Sequence, residues 1–169
     1  MSPADPVRAR LSRLLVEVRQ ERAALAGAVA VIARYREGLK GAPEPPDLSV
    51  IAVELHRYFT AAETLFERIA REVDGALPQG LEWHRELVDQ MAADLPPVRG
   101  AVIDESQRLW LHQLRAFRHF FRHAYAVTLD PRHLGEHADA VLERHREFAG
   151  ALDAFFDFVR RARDGLPID

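Results

Sequence analysis

Apolar residues return every three or four positions near the start of the chain, at Leu11, Leu14, Leu15, Val18, Leu25, Val29 and Ile32. This spacing keeps to one face of a helix and predicts a first helix over about 6–39. Gly41 stops it, and the Pro-rich stretch 41–47 predicts a stiff linker in which no helix continues. A second helix is expected from a cap at Asp47 or Ser49 to about Asp74, with Val50, Val53, Leu55, Phe59, Leu65, Phe66, Ile69 and Val73 inward. A shorter third spans about 81–93, ahead of Pro96-Pro97. The motif-bearing fourth spans about 104–127 and ends at Leu129-Asp130-Pro131. The fifth runs over about 131–163, with Leu142, Phe148, Leu152, Phe155, Phe156 and Val159 inward. No segment alternates with a period of two between turns, so the pattern predicts an all-α bundle of about five helices. One helix cannot bury its own stripe. The first should therefore pack on the others, and 1–169 is read as a single domain.

The fourth segment carries the densest chemistry, Arg118-His119-Phe120-Phe121-Arg122-His123-Ala124-Tyr125. At about 100° per residue, Arg118, Arg122 and Tyr125 fall within roughly 60° of one another, with His119 and His123 on the adjoining flank. Trp110, Leu114, Phe117, Phe121 and Ala124 cluster opposite, so the helix should bury that stripe and present a polar ridge. Arg118 offers fixed charge and a planar fork of donors matched to phosphate oxygens. His123 titrates near neutrality and can take or give a proton. The set handles phosphate and has a proton-transfer group inside it. On one helix Arg118 and His123 project about 140° apart, which surrounds a phosphate poorly. Two copies crossing antiparallel at this helix would complete one another on a twofold axis.

Composition narrows the chemistry. With no cysteine among 169 residues, disulfides, thiolate catalysis and cysteine-based zinc sites are excluded. A net charge of −3 argues against a protein that grips nucleic acid with a broad basic face. Locally, though, Arg115, Arg118 and Arg122 stand with His119 and His123 and no acid between them. No segment approaches the ~18 uncharged apolar residues of a membrane span, and no signal peptide is legible, so cytoplasm is the expected location and no membrane partner is assigned. His119/His123 and His133/His137 are spaced i, i+4, as two imidazoles sharing a metal would be. They support a rival reading as a histidine metalloprotein resembling the DinB type. Arg118 and Arg122 would repel a cation beside His119, so no metal and no cofactor is assigned. Glu63 reads as a solvated helix acid or the partner of an arginine, Trp83 as a core residue, and His84 as exposed or hydrogen-bonded.

In their order, Arg118, His123 and Tyr125 resemble the R-x4-H-x-Y signature of HEPN-domain ribonuclease toxins of the HepT type. His119 stands where such proteins often carry a polar residue directly after the arginine. The run from about Tyr58 through Glu63, Trp83-His84 and Met91 to Leu129-Asp130 is similar to HepT-like relatives, while the first helix matches only in being a helix. The resemblance implies a HEPN-like helical bundle and a homodimeric, metal-independent endoribonuclease that leaves a 2′,3′-cyclic phosphate. Arg118 and His123 would be catalytic, and His119, Arg122 and Tyr125 would contact the RNA substrate. It further implies a type VII-like toxin–antitoxin pair in which an MntA-like nucleotidyltransferase antitoxin transfers AMP to Tyr125. Seven residues is almost two turns, so Tyr125 lies nearly in line with Arg118, about 10 Å along the axis. The same resemblance leaves open a non-catalytic HEPN partner that binds nucleotide or presents substrate to a nucleotidyltransferase.

Overall fold

A computed structural model of the chain describes residues 4–40, 44–123 and 129–166. Five helices form an all-α bundle: α1 (Ala4–Tyr35), α2 (Pro45–Ile69), α3 (Trp83–Ala92), α4 (Glu105–His123) and α5 (Pro131–Asp164). Among the described residues there is no strand, and no helix is long and apolar enough to cross a membrane.

The central element is α2, which packs against each of the other four helices. Ile51, Leu55, Tyr58, Phe59, Leu65, Phe66 and Ile69 are all essentially inaccessible, so the helix is apolar around most of its circumference. A helix covered on many sides loses the clean stripe of a surface helix. Val53, expected inward, is accordingly exposed, and the carboxylates of Glu54 and Glu63 are buried. On α1 the inward stripe is Leu11, Leu14, Val18, Leu25, Ala28 and Ile32, while Leu15 and Val29 are only partly covered. The face of α1 rests on α2 and α5. Its last turn tightens into a 3-10 segment, Arg36–Leu39, where the Arg36 guanidinium grips Asp139 of α5 through two hydrogen bonds of 2.6 Å.

The linker before α2 is shorter than the prolines suggest. Pro45 and Pro46 lie in the first turn of α2, where a missing N–H costs no helical hydrogen bond and the fixed φ suits the helix. Glu44, not Asp47 or Ser49, is the capping position, and the stretch expected to be linker to 47 is helical from 45. Residues 41–43 lie outside the described set. At its other end α2 widens into a π turn, Ala70–Asp74, closed by Gly75 with φ 73, a left-handed conformation that glycine adopts without a Cβ penalty. The turn delivers Asp74 to the loop between α3 and α4. There Arg99 meets both carboxylate oxygens, Nε to Oδ1 at 2.6 Å and Nη2 to Oδ2 at 2.8 Å. The same guanidinium donates to the carbonyls of Ala93, Gly100 and Gln90. Nothing in the sequence pattern singled out this pair.

Candidate functional site

Three helices meet around Arg118. From α2, Glu63 sits in an otherwise apolar face four residues after Phe59, and it is 4% exposed. A buried carboxylate needs partners for its charge, and Glu63 has two. Its Oε2 is 3.2 Å from Nη2 of Arg118 on α4, and its Oε1 accepts a short hydrogen bond from Nδ1 of His84 at the start of α3. The Arg118 guanidinium also lies over the Phe59 ring, 5.7 Å from its centroid, within range of a cation–π attraction. Glu63 is therefore the partner of an arginine and not a solvated acid. His84 is hydrogen-bonded. Trp83 is half-buried and packs against the core from its edge, with its ring centroid 3.7 Å from that of His84.

The expected ridge on α4 is only partly a ridge. Trp110 and Leu114 are buried, and Phe117 and Phe121 partly so, as the apolar arc requires. Arg122 and His119 are exposed. Arg118, however, has a side chain only 12% exposed, turned in from the open flank toward α2 and α3. The cause is its position at the margin of the apolar arc, where a long side chain can lay its stem on Phe59 and bring its head to Glu63. Its Nε is buried without a protein partner. His123 ends the described part of α4, and its side chain is not among those described. Tyr125 lies outside the described residues, as do the last four positions of the helix expected to reach 127.

A further histidine belongs to this neighbourhood. His56 is seven residues before Glu63, hence on the same face of α2, and its ring lies 6.0 Å from that of Phe121. Burial pushes its pKa below the ordinary imidazole value, and the charges of Arg118 and Arg122 push it down further. His56 was not foreseen. The signal that could have found it is its recurrence with Glu63 as a polar residue on the apolar arc of α2.

The remaining histidines have other settings. His112 faces Asp89 at 2.8 Å, and His145 is hydrogen-bonded to the buried Tyr58 hydroxyl at 3.0 Å. His137 is half-buried against Phe117, and burial lowers its pKa; exposed His133 lies 3.4 Å from Asp130. Among the described residues no three His, Asp or Glu side chains come together as a metal site requires. On the flank of α4 away from Glu63, an apolar groove of about 630 Å³ runs between α4 and the start of α5. Phe117, Phe120, Leu134 and His137 line it, and Phe120 is 48% exposed.

A family model described as HepT-like protein matches residues 50–159, from the first turns of α2 to the last turns of α5. No curated protein and no solved structure matches the chain.

Proposed function

The chain belongs to the HepT-like family, and on that premise we propose that it is the toxin of a type VII-like toxin–antitoxin pair, an endoribonuclease that cuts RNA without a metal ion. One observation carries the reading. Arg118, the first residue of R-x4-H-x-Y, is fixed by Glu63 and Phe59, and Arg122 stands exposed one turn further along the same helix. A guanidinium held at one nitrogen keeps other N–H donors for phosphate oxygens. Two such groups beside a histidine supply charge for the pentavalent transition state and a proton-transfer group. Arg118 and His123 take the catalytic roles, and His119, Arg122 and Tyr125 contact RNA. Purified protein given single-stranded RNA in excess EDTA should leave fragments ending in 2′,3′-cyclic phosphate. RNA that stays intact with or without added divalent metal would reject the reading.

The burial of Arg118 favours one other reading, in which it is a structural arginine of a non-catalytic HEPN partner. The same assay separates the two, since only the ribonuclease cuts.

The site is proposed to be shared by two copies. Phe120 and the groove beside it lie on the flank of α4 next to His123, so an antiparallel crossing there would bury apolar surface and bring two motifs together. Light scattering should find a dimer, and Phe120→Glu should shift it to monomer with loss of cleavage. A wild-type monomer that still cuts RNA would overturn the shared site.

Tyr125 is proposed as the acceptor of AMP from a nucleotidyltransferase antitoxin. The modification adds negative charge and bulk where RNA phosphate should lie, so it should stop cleavage without unfolding the protein. Mass spectrometry after co-expression should place AMP on Tyr125 and find none on Tyr125→Phe. AMP on another residue, or neutralisation with none, would leave Tyr125 a substrate contact.

A further inference from the structure

An RNA strand carries a negative charge at every step, so a site that holds one phosphate for cleavage must also meet or repel its neighbours. The inference drawn from this rests on the ribonuclease reading and concerns Arg115, an arginine outside the R-x4-H-x-Y order.

The polar side of α4 falls into two halves. In the first, Arg108 is held by Glu105 and by Asp89 of α3, each at 2.7 Å, and His112 faces the same Asp89 at 2.8 Å. Beyond them, over 113–123, α4 contains no Asp or Glu, and Arg115, Arg118 and Arg122 follow one another. Arg118 turns aside to Glu63. Arg115 has no such partner. It is half-buried, its Nε is inaccessible, and no acid or other acceptor meets its guanidinium among the described residues. Every other described arginine that is not exposed is engaged: Arg8 by the Leu166 carbonyl, Arg144 by the Ser106 hydroxyl, the rest by a carboxylate.

A guanidinium does not give up its proton in a protein, so neutralisation cannot relieve its burial. A half-covered charge without an acid is a cost to the fold. An apolar side chain of similar length would cover the same surface without that cost. What offsets it must come from outside the chain, and a positive group calls for an anion.

Helix geometry says where that anion would lie. Arg115 and Arg122 fall within about 20° of one another around α4 and about 10 Å apart along it, with Arg118 between them in height and about 60° from Arg115. A strand laid along this side with its scissile phosphate on Arg118 and Arg122 therefore brings a neighbouring phosphate to Arg115. About two turns further on, Glu105 and Asp89 close the track, because their carboxylates would repel another phosphate.

We propose that Arg115 binds a second, non-scissile phosphate of the RNA, so that the substrate is a single strand of several nucleotides running along α4 and not an isolated phosphodiester. Arg115 takes no part in the proton transfers. It adds affinity and fixes which phosphate stands at Arg118.

The test is binding of a labelled single-stranded 2′-O-methyl RNA, uncleavable because its 2′-oxygens are blocked, to the full-length wild type, Arg115→Met and Arg115→Lys in EDTA over a range of KCl. For a single strand, log affinity falls against log salt with a slope of about 0.7 per phosphate neutralised. Arg115→Met keeps the apolar stem and drops the charge. Its slope should be shallower by about 0.7, and its affinity at roughly 0.1 M salt weaker by about fivefold. Arg115→Lys keeps the charge and should keep the wild-type slope. On a cleavable strand of the same length, Arg115→Met should raise KM with little change in kcat. Thermal melts supply the readout that a structural arginine would move: Arg115→Met should melt at or above the wild-type temperature, since no partner is lost.

A folded Arg115→Met with the wild-type slope and KM overturns the inference and leaves the ribonuclease reading standing. A clear fall in its melting temperature, or failure to fold, also overturns it, because the fold and not a ligand would then be using the charge. A wild type that does not bind the strand overturns it as well. A wild type that binds the strand but leaves RNA uncut defeats the ribonuclease reading, while the change in slope still decides for or against Arg115.

Discussion

Arg118→Ala should slow RNA cleavage by about 10²- to 10³-fold, the loss found when a preorganised donor to a transition-state oxyanion is removed. It should relieve growth inhibition on expression to a matching degree. The residue is held by a carboxylate 4% exposed and by an aromatic face, so under the proposed function little ordering of it would be needed during the reaction. Arg118→Lys should not restore the rate, because an ammonium keeps the charge but loses the planar fork. Glu63→Gln tests the holding role separately. It retains a partner for His84 and removes the charge that fixes the guanidinium, so it should lower kcat less than Arg118→Ala does. Kinetics read beside thermal melts separate chemistry from folding. Arg118→Ala with wild-type cleavage would leave the arginine a packing residue.

The largest effect on stability is expected at a distance from the site, in Arg99→Ala. The Arg99 side chain is 0% exposed and that of Asp74 is 2%. Removing one partner of such a pair leaves an uncompensated buried charge and costs about 3–5 kcal/mol. Here it also removes the donor to the carbonyls of Ala93, Gly100 and Gln90, of which Gln90 belongs to a half-buried residue and the other two to exposed ones. In a protein of this length that cost should lower the melting temperature by about 10 °C or more. By contrast, breaking the exposed Arg132–Glu136 pair should cost well under about 1 kcal/mol. Urea or thermal denaturation of both variants makes the comparison. Equal, small losses would mean that the loop between α3 and α4 is closed by something other than Arg99.

The difference between these two arginines shows where the sequence was readable. Spacing of apolar residues located all five helices, and Asp130-Pro131 marked the start of α5 within a residue. The prolines at 45 and 46 misled, because proline reads as a breaker in a chain and is equally at home in a first helical turn. Periodicity also assumes one wet face, and α2 has almost none. It therefore could not say that Glu63 is buried while Val53 is exposed. The candidate site divides in the same way. The order Arg118, His123, Tyr125 is a property of one helix and was plain in the letters. The contact of Arg118 with Glu63 joins positions 55 residues apart, that of Glu63 with His84 positions 21 apart, and no local pattern encodes such a meeting.

That meeting bears on what can be moved from one protein to another. The stretch from Arg118 to Tyr125 looks like a portable cassette, eight consecutive residues that any exposed helix could accept. Its first arginine is nevertheless oriented by a carboxylate from a second helix, and that carboxylate by an imidazole from a third. Grafted alone onto a foreign scaffold, the cassette would bring its charges and leave behind what aims them. The smallest transferable unit is the three-helix junction, with α2, α3 and α4 kept in their mutual register.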